Sequence, residues 1–332
     1  MSLATVRIAT FNLEDLDDRP ERGAGLEARI ALLRPQLERV RADILCLQEV
    51  NGQRRQTGGD RELLALNRLL AETPYASFHR VHSVAGETGE LADKHNLVVL
   101  SRWPIDAFEQ LRHDLVDAPG YRPTTALPPE AEPRAVEWDR PILHAVVATA
   151  ADERLHVINL HLRAPLAAPV AGQKLGPFCW NSASGWAEGF YIAMLKRSGQ
   201  ALEARLLIDR IFEREPEARI VVCGDFNAEE REVPLRIVCA DVADTGNGRL
   251  AGRSLVPLER TLPEARRFSV IHCGQRLMLD HMLVSRSLLA HYRSLEVHNE
   301  ALGDGLVAYA TVDGPVESYH APVVASFEMA AR

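Results

Sequence analysis

Six short segments of this chain each join an apolar run to a side chain that can bind a cation or a phosphate. They lie far apart in the sequence and end on amide, carboxylate or imidazole groups: RIATFNLED, DILCLQEV, VINLHLR, IVVCGDFNAEE, LMLDHMLVS and SYHAPVVASF. Strands that pack in one domain can bring such ends to a common rim. Carboxylate and amide oxygens suit a hard divalent cation, and imidazole transfers protons near neutral pH. The pattern therefore predicts one cleft that holds a cation against a phosphate ester.

Asp225 and Asn227 stand in the string GDFN, directly after the apolar run Ile220–Cys223. Side chains two positions apart on an extended segment face the same way, so both groups would point into one pocket, with Phe226 turned to the core. The carboxylate can orient or deprotonate water, and the amide can donate to a phosphoryl oxygen without charge repulsion. An Asx turn that closes a strand explains the same two residues equally well.

Two further strand ends carry candidate metal ligands. Glu49 follows the apolar run Ile44–Leu47 and can bind a hard cation, although a solvated strand end has the same appearance. Asn12 closes an earlier strand and can bind the metal or orient Glu49. Glu14 lies on the same face as Asn12, where a metal ligand and a simple loop charge are both open interpretations.

Two histidines at strand ends are candidates for proton transfer or phosphate binding. His161 ends the run VINLH, and His320 precedes the last strand in SYHAPV. Asp280 ends another apolar run and can hold His320 in one tautomer. His281 follows Asp280, but the alternation of a strand turns it to the opposite face, so we interpret it as a packing residue.

Weaker candidates lie at other strand ends and in the stretch 163–200. Asn96 and Arg140 can each reach the phosphate side, or serve as a strand-start polar group and a surface charge. The stretch 163–200 follows His161 directly and is rich in aromatic and basic side chains. It is either a lid that stacks on substrate and adds cations or a loop pinned by its own aromatics. Its candidate substrate-binding residues are Lys174, Trp186, Lys196 and Arg197.

The composition is that of a globular protein and gives no sign of a membrane or secreted protein. The 332 residues carry a formal net charge of −8. Proteins that bind long nucleic acid mainly through charge are usually basic, so the acidity weakens a nuclease interpretation without removing it. Five scattered cysteines argue against a disulfide framework and a structural zinc site. With no bilayer-long apolar run and no leader of basic and then apolar residues, the sequence predicts a cytoplasmic protein.

The elements that position these groups alternate between strand and helix in the first half of the chain. Three helix-like stretches cover 25–41, 62–72 and 187–214, and Pro35 is expected to kink or restart the first. This order favours an α/β architecture with helices covering a sheet-built core. The strand-like runs are 6–12, 44–49, 77–84, 96–101, 142–148, 155–162, 220–225, 279–284 and 323–327.

The strings FNLED, LQEV, NLVVLSRWPI, VINLHL, VVCGDFN, LDHMLVS and SYHAPV, taken in this order, resemble the endonuclease/exonuclease/phosphatase superfamily. Its members are similar to deoxyribonuclease I and the abasic-site exonucleases. The resemblance runs from residue 6 to about residue 328. It implies a four-layered α/β sandwich with two central mixed β-sheets flanked by helices. It also implies hydrolysis of phosphate esters with Mg²⁺ or Mn²⁺ as cofactor.

The resemblance also implies roles for the matched residues that would hold the metal. Glu49 would be the main metal ligand and Asn12 would assist it. Glu14 matches an acidic position of some members.

The other matched residues would act on water and phosphate. Asp225 would activate or orient the attacking water, and Asn227 would bind the scissile phosphate. His320, oriented by Asp280, would act on the nucleophile or stabilise the charge of the transition state. His161 would contact phosphate or serve the leaving group.

Two departures from the family pattern bear on these expectations. Relatives usually have Ser-Asp-His near the end, whereas this chain has Tyr319 in the middle position, which removes a carboxylate and disfavours a second metal. The stretch 163–200 is longer than the corresponding connection of many relatives. We expect a single domain over 1–332, with 113–141 as a long surface loop and 163–200 as an insertion.

Several substrates remain open at this stage. A nucleic acid is the first choice, and a small or lipid phosphodiester is the second, which the acidic charge favours. A binding member of the family that has lost the reaction is a third possibility, supported by Tyr319. No protein partner can be inferred from the sequence.

Overall fold

The computed structural model describes residues 3–18, 25–55, 59–86, 89–149, 153–176, 179–246, 248–305 and 317–330. Within these ranges, no helix combines the length and the apolar character needed to cross a membrane. The helices are α1 (Leu26–Val40), α2 (Leu64–Leu70), α3 (Ala183–Arg214), α4 (Val233–Cys239), α5 (Val242–Thr245) and α6 (Arg286–Leu289). Short 3₁₀ helices cover Pro74–Ser77, Gly248–Arg253, Leu258–Thr261 and Glu264–Arg266.

Strands dominate the rest of the described chain. In chain order they are β1 (Leu3–Leu16), β2 (Ile44–Val50), β3 (Gln53–Arg54), β4 (Arg61–Glu62), β5 (His79–His82), β6 (Asn96–Ser101), β7 (Ile105–Leu111), β8 (Gly120–Tyr121), β9 (Arg134–Ala135), β10 (Ile142–Ala148), β11 (Arg154–His161), β12 (Lys174–Gly176), β13 (Cys179–Trp180), β14 (Arg219–Asp225), β15 (Val256–Pro257), β16 (Val270–His272), β17 (Gln275–Leu277), β18 (Asp280–Val284), β19 (Tyr292–Val297) and β20 (Val323–Ala330).

Two mixed six-stranded sheets form the centre of the protein. One has the order β19-β20-β1-β2-β6-β5, and the other has the order β15-β18-β14-β11-β10-β7. Each sheet contains one parallel pair, β1 with β2 and β11 with β14, among antiparallel neighbours. The expected α/β sandwich with two central mixed sheets is confirmed.

Alternation along the strands sorts the apolar side chains into layers. Ile8, Cys46 and Val221 belong to one buried cluster between the two sheets. Ala9 and Leu45, one residue along from Ile8 and Cys46, belong instead to the cluster that packs against α1 and α2. The second sheet packs in the same way against α3 and α4 on its outer side. Because side chains on a strand point to alternate faces, each sheet is apolar on both faces and is covered twice.

The sequence placed most strands within two residues of their observed ends, but some elements differ. Pro35 lies inside one continuous helix, α1, rather than dividing it. The strand expected over 77–84 is shorter, because its first residue, Ser77, belongs to a 3₁₀ helix. Three strands of the main sheets, β7, β15 and β19, were missed: β15 has only two residues, and β7 is largely solvent-exposed and shows little apolar alternation.

The long segment 113–141 is mostly irregular but is firmly attached to α3 through Glu188. The carboxylate of Glu188 accepts hydrogen bonds from the backbone and hydroxyl groups of Thr124 and Thr125 and from the Tyr121 hydroxyl. Burial by itself raises the pKa of Glu188, but these hydrogen bonds, those of Thr125 and Thr124 above all, lower it to about 2.

A second carboxylate of α3 holds the two ends of the same segment. Glu203 is fully buried and accepts the backbone N–H groups of His113, Asp114 and Leu115 at 3.2, 2.7 and 3.0 Å. It also accepts the indole N–H of the fully buried Trp138 at 2.9 Å. We call Glu188 and Glu203 the carboxylate clamp. The segment 113–141 therefore runs over the surface but is held there by buried acidic groups.

Candidate active site

The ends of four strands from both sheets meet at one rim. Asn12 near the end of β1 donates to Glu49 Oε1 at 3.3 Å and to Asp225 Oδ2 at 3.1 Å. Asn227 also donates to Asp225 Oδ2, at 3.0 Å, and its backbone N–H donates to Asp225 Oδ1 at 2.8 Å. The His161 ring lies at 3.3 Å from Asp225 Oδ2. The two sheets thus bring together groups that are more than 200 residues apart in the chain.

The backbone around this rim is unusually strained. Glu14, Asp15, Glu49, His95 and Asn227 have φ values of +50°, +54°, +57°, +60° and +49°. A side chain with a Cβ rarely adopts the left-handed region, and such residues cluster at functional sites, where the surrounding fold maintains them. The backbone N–H of Asp15, for example, donates to Glu49 Oε2 at 2.9 Å.

Gly224 allows β11 and β14 to approach closely beside the rim. It has φ +138°, and a Cβ placed there would lie only 1.9 Å from the carbonyl oxygen of Leu160. The same parallel pairing sets His161 opposite Asp225. A glycine is therefore required at the position before the aspartate.

Asp280 and His320 form the closest acid–imidazole pair of the site. Asp280 Oδ2 lies 2.8 Å from His320 Nδ1, and Oδ1 is buried without a hydrogen-bond donor among the described residues. Burial opposes a charge on His320, but Asp280 and then Asp225 outweigh it and raise the pKa of His320 well above its usual value. The acidic neighbours therefore favour the protonated form of His320, whose Nε2 lies 3.9 Å from both Asp225 and Glu14.

His161 has the opposite protonation preference. Burial, followed by the positive charge of Arg140, lowers the pKa of His161 well below its usual value. The ring is 2% exposed, and its Nδ1 has no hydrogen-bond partner among the described residues. Two histidines whose pKa values move in opposite directions can take different parts in proton transfer.

Asp225 is a buried carboxyl group with a strongly raised pKa. Burial raises its pKa to about 7; Asp280 and Glu49 raise it as well, whereas His320 and the Asn227 backbone lower it. A buried acid with a pKa near the working pH is well suited to act as a general base.

His95 belongs to this site although the sequence analysis did not select it. Its Nδ1 lies 3.8 Å from Glu49 Oε2, and its ring centroid lies 6.1 Å from that of His161. The signal in the sequence was weak, because His95 stands before a strand rather than after one. Arg140 reaches the same place, and its Nη2 lies 3.0 Å from His95 Nδ1.

The donor groups at the rim fit a divalent cation. Two sets could each hold one ion, since their ligand atoms lie within 4.8 Å of one another: Glu49, His95 and His161, and Asp225, Asp280 and His320. The unpartnered Oδ1 of the buried Asp280 shows that the second set has unused ligand capacity. Glu14 lies at the rim beside His320. Tyr319, which directly precedes His320 in the sequence, is 6% exposed and offers no carboxylate.

Asn96 does not fit the expected contact with substrate. It is 1% exposed, and its amide nitrogen donates to the backbone oxygens of Val50 and Ala92, each at 2.9 Å. Its amide oxygen accepts the Ala92 N–H. All of these partners are backbone groups, so the structure corrects the expectation: Asn96 fastens the start of β6.

Lys196 and Arg197 are also committed to protein partners. Arg197 is 2% exposed and pairs with Glu232, so burial corrects its expected role in substrate binding. Lys196 pairs with Asp139 at 2.7 Å, and Arg163 pairs with the same carboxylate. These contacts neutralise much of the charge that the stretch 163–200 was expected to offer.

Lys174 and Trp186 lie on exposed parts of that stretch. Lys174 is in the hairpin of β12 and β13, with its amine 5.4 Å from the centre of the Trp180 ring. Trp186 is 48% exposed near the start of α3 and stacks on Phe190. Their substrate role stays a prediction. His281 is fully buried and hydrogen-bonded to Glu259 and the Ala228 carbonyl, as a packing residue would be.

Comparisons with known proteins agree with this architecture. The family model described as "Endonuclease/Exonuclease/phosphatase family" matches residues 9–302. A search of curated proteins found no match. An endonuclease/exonuclease/phosphatase family protein from Bacteroides thetaiotaomicron has 13% identity and a TM-score of 0.61, with 99% of this chain and 96% of that chain covered.

Two similar structures come from proteins described as acting on nucleic acid. A 3′ phosphatase from Neisseria, bound to a product DNA hairpin, has 18% identity and a TM-score of 0.51, over 98% of this chain and 100% of that one. An AP endonuclease from Archaeoglobus fulgidus has 15% identity and a TM-score of 0.50, over 97% and 99%. At these identities the likeness concerns the fold.

Proposed function

Because this chain belongs to the endonuclease/exonuclease/phosphatase family, whose members hydrolyse phosphoester bonds, we propose that it is a metal-dependent phosphodiesterase. The observation that carries the proposal is the meeting of Glu49, Asp225 and His320 at one rim, where Asn12 joins Glu49 to Asp225 and Asp280 holds His320.

Each residue of the rim has a defined part in attack by water. Asp225 orients the water and takes its proton, and Asn12 and Asn227 hold the Asp225 carboxylate in place. We also assign Asn227 to the scissile phosphate; its amide nitrogen now donates to Asp225 Oδ2 and to the Leu162 carbonyl, so one of these bonds must be exchanged for a phosphoryl oxygen. The His320 imidazolium, fixed by Asp280, stabilises negative charge on the phosphoryl group. The neutral His161 beside Asp225 serves the leaving group.

Glu49 is the first residue we assign to metal binding, with Asn12 and Glu14 beside it. Mg²⁺ or Mn²⁺ fits these oxygen donors. When bound, the ion neutralises charge on the phosphoryl group and thereby lowers the barrier to attack by an anionic or polarised oxygen. Tyr319 at the position of a family carboxylate favours one ion over two.

We place nucleic acid first among the substrates and a small phosphodiester second. The second candidate is supported by the charge of the protein and by the ion pairs that neutralise Lys196, Arg163 and Arg197. A single domain over residues 1–332, with 163–200 as an insertion beside the rim, remains part of the proposal.

The first experiment is hydrolysis of bis(p-nitrophenyl) phosphate by the purified protein with Mg²⁺, Mn²⁺ or a chelator. We expect turnover with a divalent ion, none in chelator, and a loss of about a hundredfold or more in His320→Ala, because one electrostatic contact to the reacting group is removed. Absence of turnover in the folded, metal-loaded protein on this substrate, on DNA and on RNA would favour a binding member of the family instead.

The two substrate classes are separated by salt. A polyanion that binds through many phosphates loses affinity steeply between about 50 and 200 mM salt, whereas a small phosphodiester does not. Measuring kcat/KM on single-stranded and duplex DNA and on a dinucleotide across this range assigns the class. A flat dependence on DNA would overturn the nucleic-acid assignment.

A further inference from the structure

Arg140 differs from the other cations near the rim in what neutralises it. Lys196 and Arg163 share the carboxylate of Asp139, and Arg197 is paired with Glu232. For Arg140, the described part of the chain offers no carboxylate oxygen within 4.0 Å of its guanidinium nitrogens. Its side-chain hydrogen bond goes to an imidazole, His95 Nδ1, at 3.0 Å.

The chemistry of this contact fixes the state of His95. A guanidinium group has donors and no acceptor, so His95 Nδ1 must accept and the ring must be neutral, with its proton on Nε2. The ring is 30% exposed.

Both partners are held from behind. The His95 backbone has φ +60°, and its N–H donates to Asn51 Oδ1 at 3.1 Å. The carbonyl oxygen of Arg140 accepts a hydrogen bond from Gln200 of α3, which is 1% exposed. The backbones of both residues are therefore fixed by hydrogen bonds, and the Arg140 guanidinium lies close enough to the rim to feel the charges of Glu49 and Asp225.

We propose that His95 is a positioning residue that holds Arg140, a cation of the site with no carboxylate partner among the described residues, ready to bind a non-bridging oxygen of the substrate phosphate. A neutral tether is what this role needs. A carboxylate at position 95 would orient Arg140 equally well but would cancel its charge, and a phosphate would then have to displace an ion pair. This inference rests on the proposed phosphoester chemistry and adds the element that captures the anion.

Three substitutions at position 95 separate orientation from charge. His95→Asn keeps a neutral acceptor where Nδ1 stands, His95→Ala removes the acceptor, and His95→Asp supplies a charged one. With Mn²⁺ and bis(p-nitrophenyl) phosphate, we expect KM within about threefold of wild type for the Asn variant and about tenfold higher for the Ala variant, with kcat changed much less. The Asp variant should have the highest KM, because the substrate phosphate must then compete with the new carboxylate for the Arg140 guanidinium.

The double variant tests whether His95 acts through Arg140. Arg140→Ala should raise KM at least as much as His95→Ala, and combining the two should add less than about twofold, because residues in one interaction are not additive. Additive effects would show that His95 acts by another route and would overturn the proposal.

A binding measurement keeps this inference separate from the proposed function. The affinity of metal-loaded protein for inorganic phosphate, measured by calorimetry, should fall about tenfold in His95→Ala and recover in His95→Asn. If wild type hydrolyses the ester but these affinities do not differ, the positioning role is refuted and the function stands. If the phosphate affinity falls in His95→Ala and recovers in His95→Asn but wild type cleaves no ester, the positioning role stands and the proposed function is refuted.

The same samples exclude the competing role of His95. Glu49, His95 and His161 also form a set that could ligate a cation. We expect the Mn²⁺ dissociation constant, measured without phosphate, to change less than about threefold in His95→Ala. A loss of tenfold or more would make His95 a metal ligand and overturn its assignment to Arg140.

Discussion

Asp225 at the active rim and Glu188 in the carboxylate clamp are both buried acids, yet their pKa values are shifted in opposite directions. Asp225 is 1% exposed and its pKa is raised to about 7, whereas Glu188 is 8% exposed and its pKa is lowered to about 2. Glu188 accepts hydrogen bonds from hydroxyl and backbone N–H groups that cannot themselves become anions. Asp225 instead shares its space with Glu49 and Asp280.

At Glu188 the hydrogen bonds together outweigh burial, whereas at Asp225 burial is the largest effect on the pKa and the charges of Asp280 and Glu49 add to it. A carboxylate whose oxygens are all satisfied by neutral donors is stabilised as an anion and acts as a structural anchor. A buried carboxylate beside other acids has a raised pKa, so a bound cation or substrate can change its protonation; we call such an acid poised. The four predictions that follow test this contrast, from the largest expected effect to the smallest.

Asp225→Asn should lower kcat/KM on a phosphodiester by roughly a thousandfold, because the amide cannot take a proton from water. Glu188→Gln provides the matched control: it makes the same chemical change to a buried acid whose hydrogen-bond donors are Tyr121, Thr124 and Thr125, and kcat/KM should stay within about threefold. Comparable losses in the two variants would mean that the poised and the anchoring acids do not differ in function.

Glu203→Ala should lower the free energy of unfolding by on the order of 3 kcal/mol, measured by urea denaturation. The change leaves three backbone N–H groups and the Trp138 indole without their buried acceptor. Glu213→Ala, at an exposed position of the same helix, should stay within about 0.5 kcal/mol of wild type. A small effect at Glu203 would show that the clamp is not needed to hold 113–141.

Asp225→Asn should stabilise the metal-free protein at pH 8 while it abolishes activity. The folded protein keeps the Asp225 proton up to about pH 7, whereas the unfolded chain releases it near its ordinary value of 3.8, so wild type loses stability as pH rises between the two. The amide does not ionise and escapes this loss.

The gain should be on the order of 2 to 4 kcal/mol at pH 8 and close to zero at pH 4, from urea denaturation in chelator. A variant that is less stable than wild type at pH 8 would contradict the raised pKa of Asp225.

At acidic pH, the stability of the protein should show the opposite effect for Glu188 of the carboxylate clamp. The pKa of Glu188 is lowered in the folded protein, so its stabilising effect is complete above the ordinary value of 4.5 and is lost as pH falls toward about 2. The melting temperature of wild type should therefore fall more steeply between pH 4.5 and 2 than that of Glu188→Gln. Parallel curves would remove Glu188 from the clamp. We expect this to be the smallest of the four effects.

The sequence predicted the neighbours of Asp225 better than those of Glu188 and Glu203. Asp225 and Asn227 do meet, but Asn227 lies beyond the end of β14 with φ +49°, and its N–H donates to Asp225 Oδ1, as in the Asx turn that the same residues allow. Asp280 was matched to His320 from their positions beside strands, and the two side chains are in contact. Strand ends and turn residues are local properties that residue order displays.

The clamp and His95 depend on contacts that residue order does not display. Glu188 and Glu203 look like ordinary charges of an exposed helix, and their donors come from irregular backbone 63 to 90 residues away. His95 acquires its place from a left-handed turn and from Arg140, 45 residues further along. Long-range partners in loops have no periodic signal, so only the folded chain shows them.

The tight approach at Gly224 affects how a mutational scan of this protein should be interpreted. Even alanine at this position would collide with the Leu160 carbonyl and push β14 away from β11, which would widen the gap between His161 and Asp225. Variants at position 224 would then be inactive, like variants of a residue that takes part in the reaction, although glycine contributes no reacting atom. Screening for catalytic residues by loss of activity alone would thus count a spacer among them, and a companion measurement of soluble yield or melting temperature would be needed to set it apart.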